Sequence, residues 1–333
     1  MKLLWITHRS SKELSVKSRV GISNSLNHRG WNVHFMSPDG DFQVERSKKF
    51  GLGHRSFTRS LSSTLKSIDL QSFSVAIVEW TAVEGAINEL KESELPWIIL
   101  DRSPPVTSGI IGWVQRKQYE RAWSIANKQS SGRAVKSEYM ASKRDWNGPS
   151  SIVPAGVDVD EFKLANMNEN PLVVCHGSMD RSRELNRLAS MNLNLLLFGE
   201  GNDSQRLSKM TRVEGVGDVA SRLATADVGV LHLPNREVWR HASPLKVAEY
   251  AAAGLPVVAS EVSGLERYRN AEWIRLIPLG DDHACKVAIN TFCKLPLEKR
   301  RELGVLARQE AENSMTWAHC TESLHEMLLE VKR

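Results

Sequence analysis

The chain has 333 residues, too many for one ordinary core and suited to two domains of roughly 150 residues each. Its 41% hydrophobic and 25% charged residues exclude the disordered and fibrous classes, and no apolar run approaches the ~18 residues of a membrane span. Residues 1–150 hold 22 Lys/Arg against 14 Asp/Glu, or +8, whereas 151–333 come to −3, so the first half is expected to meet something anionic.

The opening MKLLWITHRSS has an apolar run of about five residues, too short for the core of a signal peptide, and a cytoplasmic protein is expected. Lys2–Thr7 reads as a buried strand, Arg19–Arg29 as a helix closed by Gly30 at C′, and Trp31–Met36 as a second strand. Further strands are read at Ser74–Glu79 and Trp97–Asp101, around the helix Ala82–Glu92. The helix Gly112–Asn127, a short strand near Arg133–Val135 and the segment Ser151–Pro154 complete the first half. After a polar linker, Ala155–Asn170, the pattern restarts. Pro171–His176 and Asn194–Phe198 read as strands around the helix Arg183–Met191, and Val213–Leu231 as strand, helix and strand. Pro244–Ala253 reads as a helix and Pro256–Ser260 as a strand. Helices Asp282–Cys293, Leu297–Asn313 and Met315–Glu330 end the chain. Strands alternating with helices imply βαβ units and parallel sheets, hence an α/β fold of two Rossmann-like domains with a cleft between them.

Cys175, Cys285, Cys293 and Cys320 make no metal-ligand spacing, and the ten histidines form no HExxH, so reduced thiols and no metal site are expected. No zinc finger, recognition helix or aromatic-basic motif points to nucleic acid, and no nucleic-acid partner is expected. An anionic membrane surface fits the basic half, as does an uneven surface that binds nothing.

The densest signal is Ser243–Gly264, SPLKVAEYAAAGLPVVASEVSG. Ser243 suits an N-cap and Pro244 a first helical turn, and the helix should stop at Gly254 with Pro256 beyond. At ~100° per residue, Lys246, Glu249 and Tyr250 share one side. A helix N-terminus with that stripe can hold a diphosphate at its end and ribose hydroxyls on Glu249. A solvent-facing Lys–Glu pair is the plain alternative.

This stretch closely resembles the signature of family 4 of the GT-B glycosyltransferases, the group 1 transferases, in an SPLK-type subgroup. Ile152–Phe162 (IVPAGVDVDEF) is similar to the family's domain junction. Val174–Leu188 is similar to the strand and loop that open its nucleotide domain, Phe198–Gly201 (FGEG) to its glycine turn under the base, and Ser314–Trp317 to the start of its final helix. The resemblance is strong over about 150–330 and only an outline over 1–150. It implies a GT-B fold with an acceptor domain at 1–158, a nucleotide-sugar domain at 159–314, and a helix at 315–333 crossing back to the first domain.

By that resemblance Glu249 holds the donor ribose and His241 stands where the family's first motif carboxylate usually lies. Ser243, Leu245 and Lys246 meet the phosphates; Ser178, Gly199, Glu200 and Gly201 line the nucleotide. Ser178 replaces the usual Arg, and Arg183, with Arg181 second, would neutralise the departing diphosphate. The first-strand loop THRSSKELSVKSR lacks the family's glycine turn and any GxGxxG, which also argues against a dinucleotide dehydrogenase. Asp101 or Arg102 would fill the place of the family's sugar-positioning His, with Glu79 a further candidate.

The implied activity is metal-independent retaining transfer, of hexosyl type. It moves a sugar from a UDP-, GDP- or other nucleoside diphosphate sugar, with no cofactor, to a glycan or lipid-linked acceptor of surface polysaccharide or glycoconjugate. The protein would be cytoplasmic, at most peripheral on the inner face of the membrane. The rival readings are a sugar-nucleotide epimerase of the same fold and a non-catalytic sugar-nucleotide-binding or scaffold subunit.

Overall fold

The structure is a computed structural model that describes the chain except residues 13–15, 47–52, 103 and 106–108, and the side chains of 53–55. Ser103 and parts of the basic segments Lys12–Arg19 and Arg46–Arg59 therefore lie outside the described residues. The chain forms two compact units, Met1–Pro154 with Thr321–Arg333, and Ala155–Cys320.

The first unit runs β1 (Lys2–Ile6), α1 (Val16–His28), β2 (Asn32–Ser37), β3 (Phe42–Gln43), α2 (Gly53–Lys66), β4 (Val75–Glu79) and α3 (Val83–Glu92). It continues through β5 (Trp97–Asp101), α4 (Gly109–Gln129), β6 (Gly132–Val135), α5 (Glu138–Ser142) and β7 (Ser150–Ile152). Its sheet is parallel throughout, in the order β3-β2-β1-β4-β5-β6-β7. Every residue of β4, β5 and β6 is buried, the pattern of strands covered on both faces. Leu61, Leu65, Ala86, Leu90, Ala122 and Trp123 bring α2, α3 and α4 onto one core. Gly30 ends the first helical segment at φ +89°, the left-handed geometry expected of a C′ glycine.

The second unit runs β8 (Val173–His176), α6 (Leu185–Ala189), β9 (Leu195–Phe198), α7 (Ser204–Leu207), β10 (Arg212–Glu214), α8 (Val219–Leu223), β11 (Val228–Leu231), α9 (Glu237–Arg240), α10 (Leu245–Ala252) and β12 (Val257–Ser260). It ends through β13 (Ile274–Ile277), α11 (Asp282–Cys293), α12 (Leu297–Ser314) and α13 (Trp317–Cys320). Its sheet, also parallel, has the order β10-β9-β8-β11-β12-β13. Helix α12 crosses α10 so closely that a Cβ on Gly304 would lie 2.2 Å from the Gly254 carbonyl oxygen. The last helix, α14 (Glu322–Val331), belongs to the first unit. There Ser323 bonds to Ser151 of β7, Met327 reaches Gly132 of β6, and Trp31 donates to His325 Nδ1 at 3.0 Å.

Several expectations need correction. The Ala155–Asn170 segment is not a free linker: Val157, Val159, Phe162 and Met167 are buried in the second unit's core. The expected helix Arg183–Met191 is a 3-10 turn at Arg181–Arg183 followed by the short α6, because Glu184 takes a left-handed conformation at φ 52° and breaks the run. The expected last helix is two, α13 and α14, parted at Thr321. Helices α2, α5, α7 and α9 and strands β3 and β13 went unread.

Candidate functional site

In the second unit the strand order reverses between β8 and β11, and in open α/β sheets ligands bind outside the carboxyl ends of the strands at such a switch point. Strand β8 ends there at His176–Gly177. Gly177 (φ +109°) and Gly199 (φ +151°), at the ends of β8 and β9, press together: a Cβ on Gly199 would fall 1.9 Å from the Gly177 carbonyl oxygen. Gly201 is equally constrained, its Cβ 2.3 Å from the Met179 carbonyl carbon. Backbone bonds lock the two turns, Gly177 N–H to Phe198 O at 2.9 Å and Met179 N–H to Glu200 O at 2.8 Å. Only glycine fits these positions, which gives the FGEG turn a physical reason. Glu200 itself is exposed.

Lys246 extends from the first turn of α10 across that loop, and a side chain on Gly177 would meet its Cε at 2.6 Å. Burial, then the Arg183 charge, lower the Lys246 pKa to about 8, against the pull of Cys175 and Glu249. Arg183 stands with its guanidinium 4.2 Å above the Trp239 ring, and its burial also works against its charge. Among the described residues neither the Lys246 ammonium nor the Arg183 guanidinium has a hydrogen bond or an ion pair. Two partly buried cations with no ion pair make a place for an anion from outside.

Glu249, one turn along α10, is buried at 3% exposure with an oxygen 3.1 Å from His176 Nε2. The His176 ring stacks on Phe198 and meets Tyr250 edge-on, and the Tyr250 hydroxyl accepts from the His176 amide while donating to the Val230 carbonyl. The carboxylate therefore sits in a fixed aromatic and imidazole frame rather than in the solvent pair that a surface stripe would make.

Lys246, Arg183 and Glu249 thus come together, with the glycine turn beside them. Other expected residues are placed differently. Ser243 does not cap α10: Pro244 occupies the N-cap, and the Ser243 hydroxyl accepts from the Ala155 amide at 2.8 Å. Leu245 and Lys246 begin the helix, where free amides and the dipole favour an anion. Arg181 is 80% exposed and turns to Asp203 at 3.8 Å, so it does not join Arg183. Ser178 bonds to Asp180 at 2.5 Å on the same loop. His241, just after α9, lies 3.8 Å from Glu237. Asp281 caps α11, accepting from the Ala284 amide.

In the first unit, the carboxyl ends of the strands carry Thr7–His8, Glu79, Asp101–Arg102 and Lys136. Asp101 is fully buried and accepts from the Tyr119 hydroxyl and from Trp123 Nε1, so its carboxylate is committed to the core of that unit rather than presented to a ligand. Glu79 is also buried, held by Arg19 through bonds of 2.6 and 2.8 Å that keep its pKa low against burial. Sequence reasoning missed His176, Trp239, Arg19 and Lys136. Strand-end periodicity gives no sign of the first or last, Trp239 rides on an unread helix, and Arg19 pairs with a residue 60 positions away.

Residues 171–294 match the family model described as Glycosyl transferases group 1. No curated protein matches the chain. Among solved structures, the sucrose-phosphate synthase of Thermosynechococcus elongatus is similar at TM-score 0.74 and 18% identity, over 99% of this chain and 98% of that one. HepE of Anabaena, solved with UDP-glucose, is similar at TM-score 0.75 and 15% identity, over 99% of this chain and all of the other. WaaG, a glycosyltransferase involved in lipopolysaccharide biosynthesis, is similar at TM-score 0.70 and 14% identity, over 98% and 99%. The chain has the GT-B fold, and residues 171–294 of its second unit are similar to the group 1 glycosyl transferases.

Proposed function

We propose that the protein is a retaining glycosyltransferase that moves a sugar from a nucleoside diphosphate sugar to a glycan or lipid-linked acceptor. The observation that carries this reading is the pair of partly buried cations, Arg183 and Lys246, neither in an ion pair among the described residues, beside the buried carboxylate of Glu249. Glu249 holds the ribose hydroxyls, and the first-turn amides of α10 with Lys246 and Arg183 hold the diphosphate. As the bond from the anomeric carbon to the diphosphate breaks, negative charge grows on the leaving oxygen, where the fixed cations favour the transition state over the ground state. The acceptor hydroxyl attacks from the same face, and its proton passes to the departing diphosphate. Fixed cations fill the role that a divalent ion has in other phosphate chemistry, so no metal is required. That HepE was solved with UDP-glucose supports a donor of this class.

Calorimetric titration with a panel of nucleoside diphosphates tests the donor site, and hydrolysis of the matching nucleotide sugar tests catalysis. Turnover is expected to survive EDTA. Loss on chelation with recovery on adding Mg²⁺ or Mn²⁺ overturns the metal-free reading. A second reading, a binding subunit without catalysis, draws on His241 in place of the family's carboxylate and on the commitment of Asp101 to Tyr119 and Trp123. Tight nucleotide-sugar binding with neither hydrolysis nor transfer would select it, and an epimerised nucleotide sugar would select an epimerase.

A further inference from the structure

Arg183 owes its place to its neighbours. Its guanidinium lies 4.2 Å from the centre of the Trp239 ring, and a contact to a ring face tolerates sliding, so loop and ring must themselves be fixed to each other. The next residue, Glu184, takes the left-handed conformation (φ 52°, ψ 36°), one of three residues other than glycine to do so among the described ones. A Cβ resists that conformation and glycine would adopt it freely, so the glutamate is explained by what its carboxylate holds. It accepts from Arg236 Nη2 at 2.6 Å and from Arg187 Nη1 at 3.4 Å. Arg236 is the N-cap of α9, and Trp239 lies three residues on, its amide bonded to the Arg236 carbonyl. Two successive residues of the loop after β8 thus grip two residues one turn apart on α9, Arg183 on Trp239 and Glu184 on Arg236. Arg187 closes the circuit from below. Its Nη2 donates to the Gly280 carbonyl at 2.6 Å, and the Gly280 amide donates to the Leu233 carbonyl on the approach to α9.

We propose that Glu184 and Arg236 are positioning residues, a clasp between the loop after β8 and α9 that sets Arg183 in place for the diphosphate. The inference rests on the transferase reading for the identity of that anion; the clasp itself follows from the contacts. A cation stabilises charge on a leaving oxygen only as well as its position is fixed beforehand. With the clasp open, Arg183 keeps its charge and loses that fixed position. The side chains of Glu184 and Arg236 are 31% and 50% exposed, so the effect should be that of a surface ion pair, about two- to fivefold on diphosphate affinity.

The test follows Arg183 directly. The arginines of the full chain are labelled with ¹⁵N at Nε, and the Arg183 signal is assigned by its loss in Arg183→Lys. Protons above an indole face are shifted upfield, and Trp239→Leu calibrates that displacement by removing it. The displacement is expected to shrink in Arg236→Gln and in Glu184→Gly, where glycine keeps the left-handed backbone and only the carboxylate is lost. Arg236→Lys should recover part of it. UDP, GDP and their nucleosides are then titrated into the same proteins. Each clasp variant is expected to lose diphosphate affinity two- to fivefold, with nucleoside affinity unchanged and Arg236→Lys in between. An Arg183 signal that stays over the ring in both variants overturns the proposal. So does a guanidinium freed from the ring with diphosphate affinity intact, or an equal loss for nucleoside and diphosphate. If the wild-type protein binds neither diphosphate while Arg183 leaves the ring in both variants, the transferase reading falls and the clasp stands.

Discussion

Lys246 and Arg183 keep their charges against burial, so their chemistry should show in how binding depends on pH and on single side chains. Diphosphate affinity is expected to be full below about 8 and to decline as pH rises through that value, because Lys246 then loses its proton. In the unliganded chain the sign reverses. The unfolded state binds more protons between about 8 and 10.5, so this lysine's contribution to stability rises with pH across that window. Calorimetry across pH checks the first statement, and Lys246→Met should flatten the curve. Glu249→Gln should lose ~1.5–3 kcal/mol of nucleotide affinity, the scale of a hydrogen bond to a charged group. Unchanged binding by a folded Glu249→Gln protein would take the ribose role away from this residue. Arg183→Ala should weaken diphosphate binding far more than nucleoside binding, and turnover more than either. Arg181→Ala, changing a side chain turned to Asp203, should have the smaller effect. Equal losses from the two variants would remove the distinction the structure draws between them.

At the scale of elements, the strands were legible because parallel, doubly covered strands read as short apolar runs. VVCH, LLLF and VVAS are buried at every position, and the sequence located all three within a residue or two. Helix α11 was read with its true ends, since Asp281 caps it in the ordinary way. The failures have local causes. Glu184 breaks a helical pattern by adopting a left-handed conformation that no periodicity reveals. Helix α2 lies among Ser, Thr and basic residues, with few apolar positions to mark it. Of the candidate site, Lys246, Glu249 and Arg183 were legible from the SPLK stretch and the loop after β8. The frame of His176, Tyr250 and Phe198 around Glu249 was not, because it joins three separate segments. The crossing of α10 and α12 gives a test at this scale. Gly304→Ala puts a methyl against the Gly254 backbone, which has little room to yield, and should cost ~1–3 kcal/mol of stability. Urea unfolding measures it, and a neutral result would mean that the helices part freely at this point.

For the whole molecule, no helix among the described residues is long and apolar enough to cross a membrane. Helix α4 exposes Ile110, Ile111 and Trp113, with Arg116, Lys117 and Arg121 also exposed on the same helix. Apolar and basic side chains together suit an anionic bilayer, at roughly 1 kcal/mol per basic residue near it. Co-sedimentation with vesicles should rise with anionic lipid content, fall with salt, and weaken in Trp113→Ser and Lys117→Glu. Indifference to lipid charge would direct the search toward a soluble acceptor. The return of α14 to the first unit has a further consequence, in time. A ribosome makes all of residues 155–320 before Thr321 appears, so the second unit has its whole sequence while the first still lacks the helix that lies on β6 and β7. At translation speeds of about 5–20 residues per second, that edge waits on the order of ten seconds or more. Nascent chains sampled during synthesis should therefore gain protease resistance in the second unit first, although the first was made earlier.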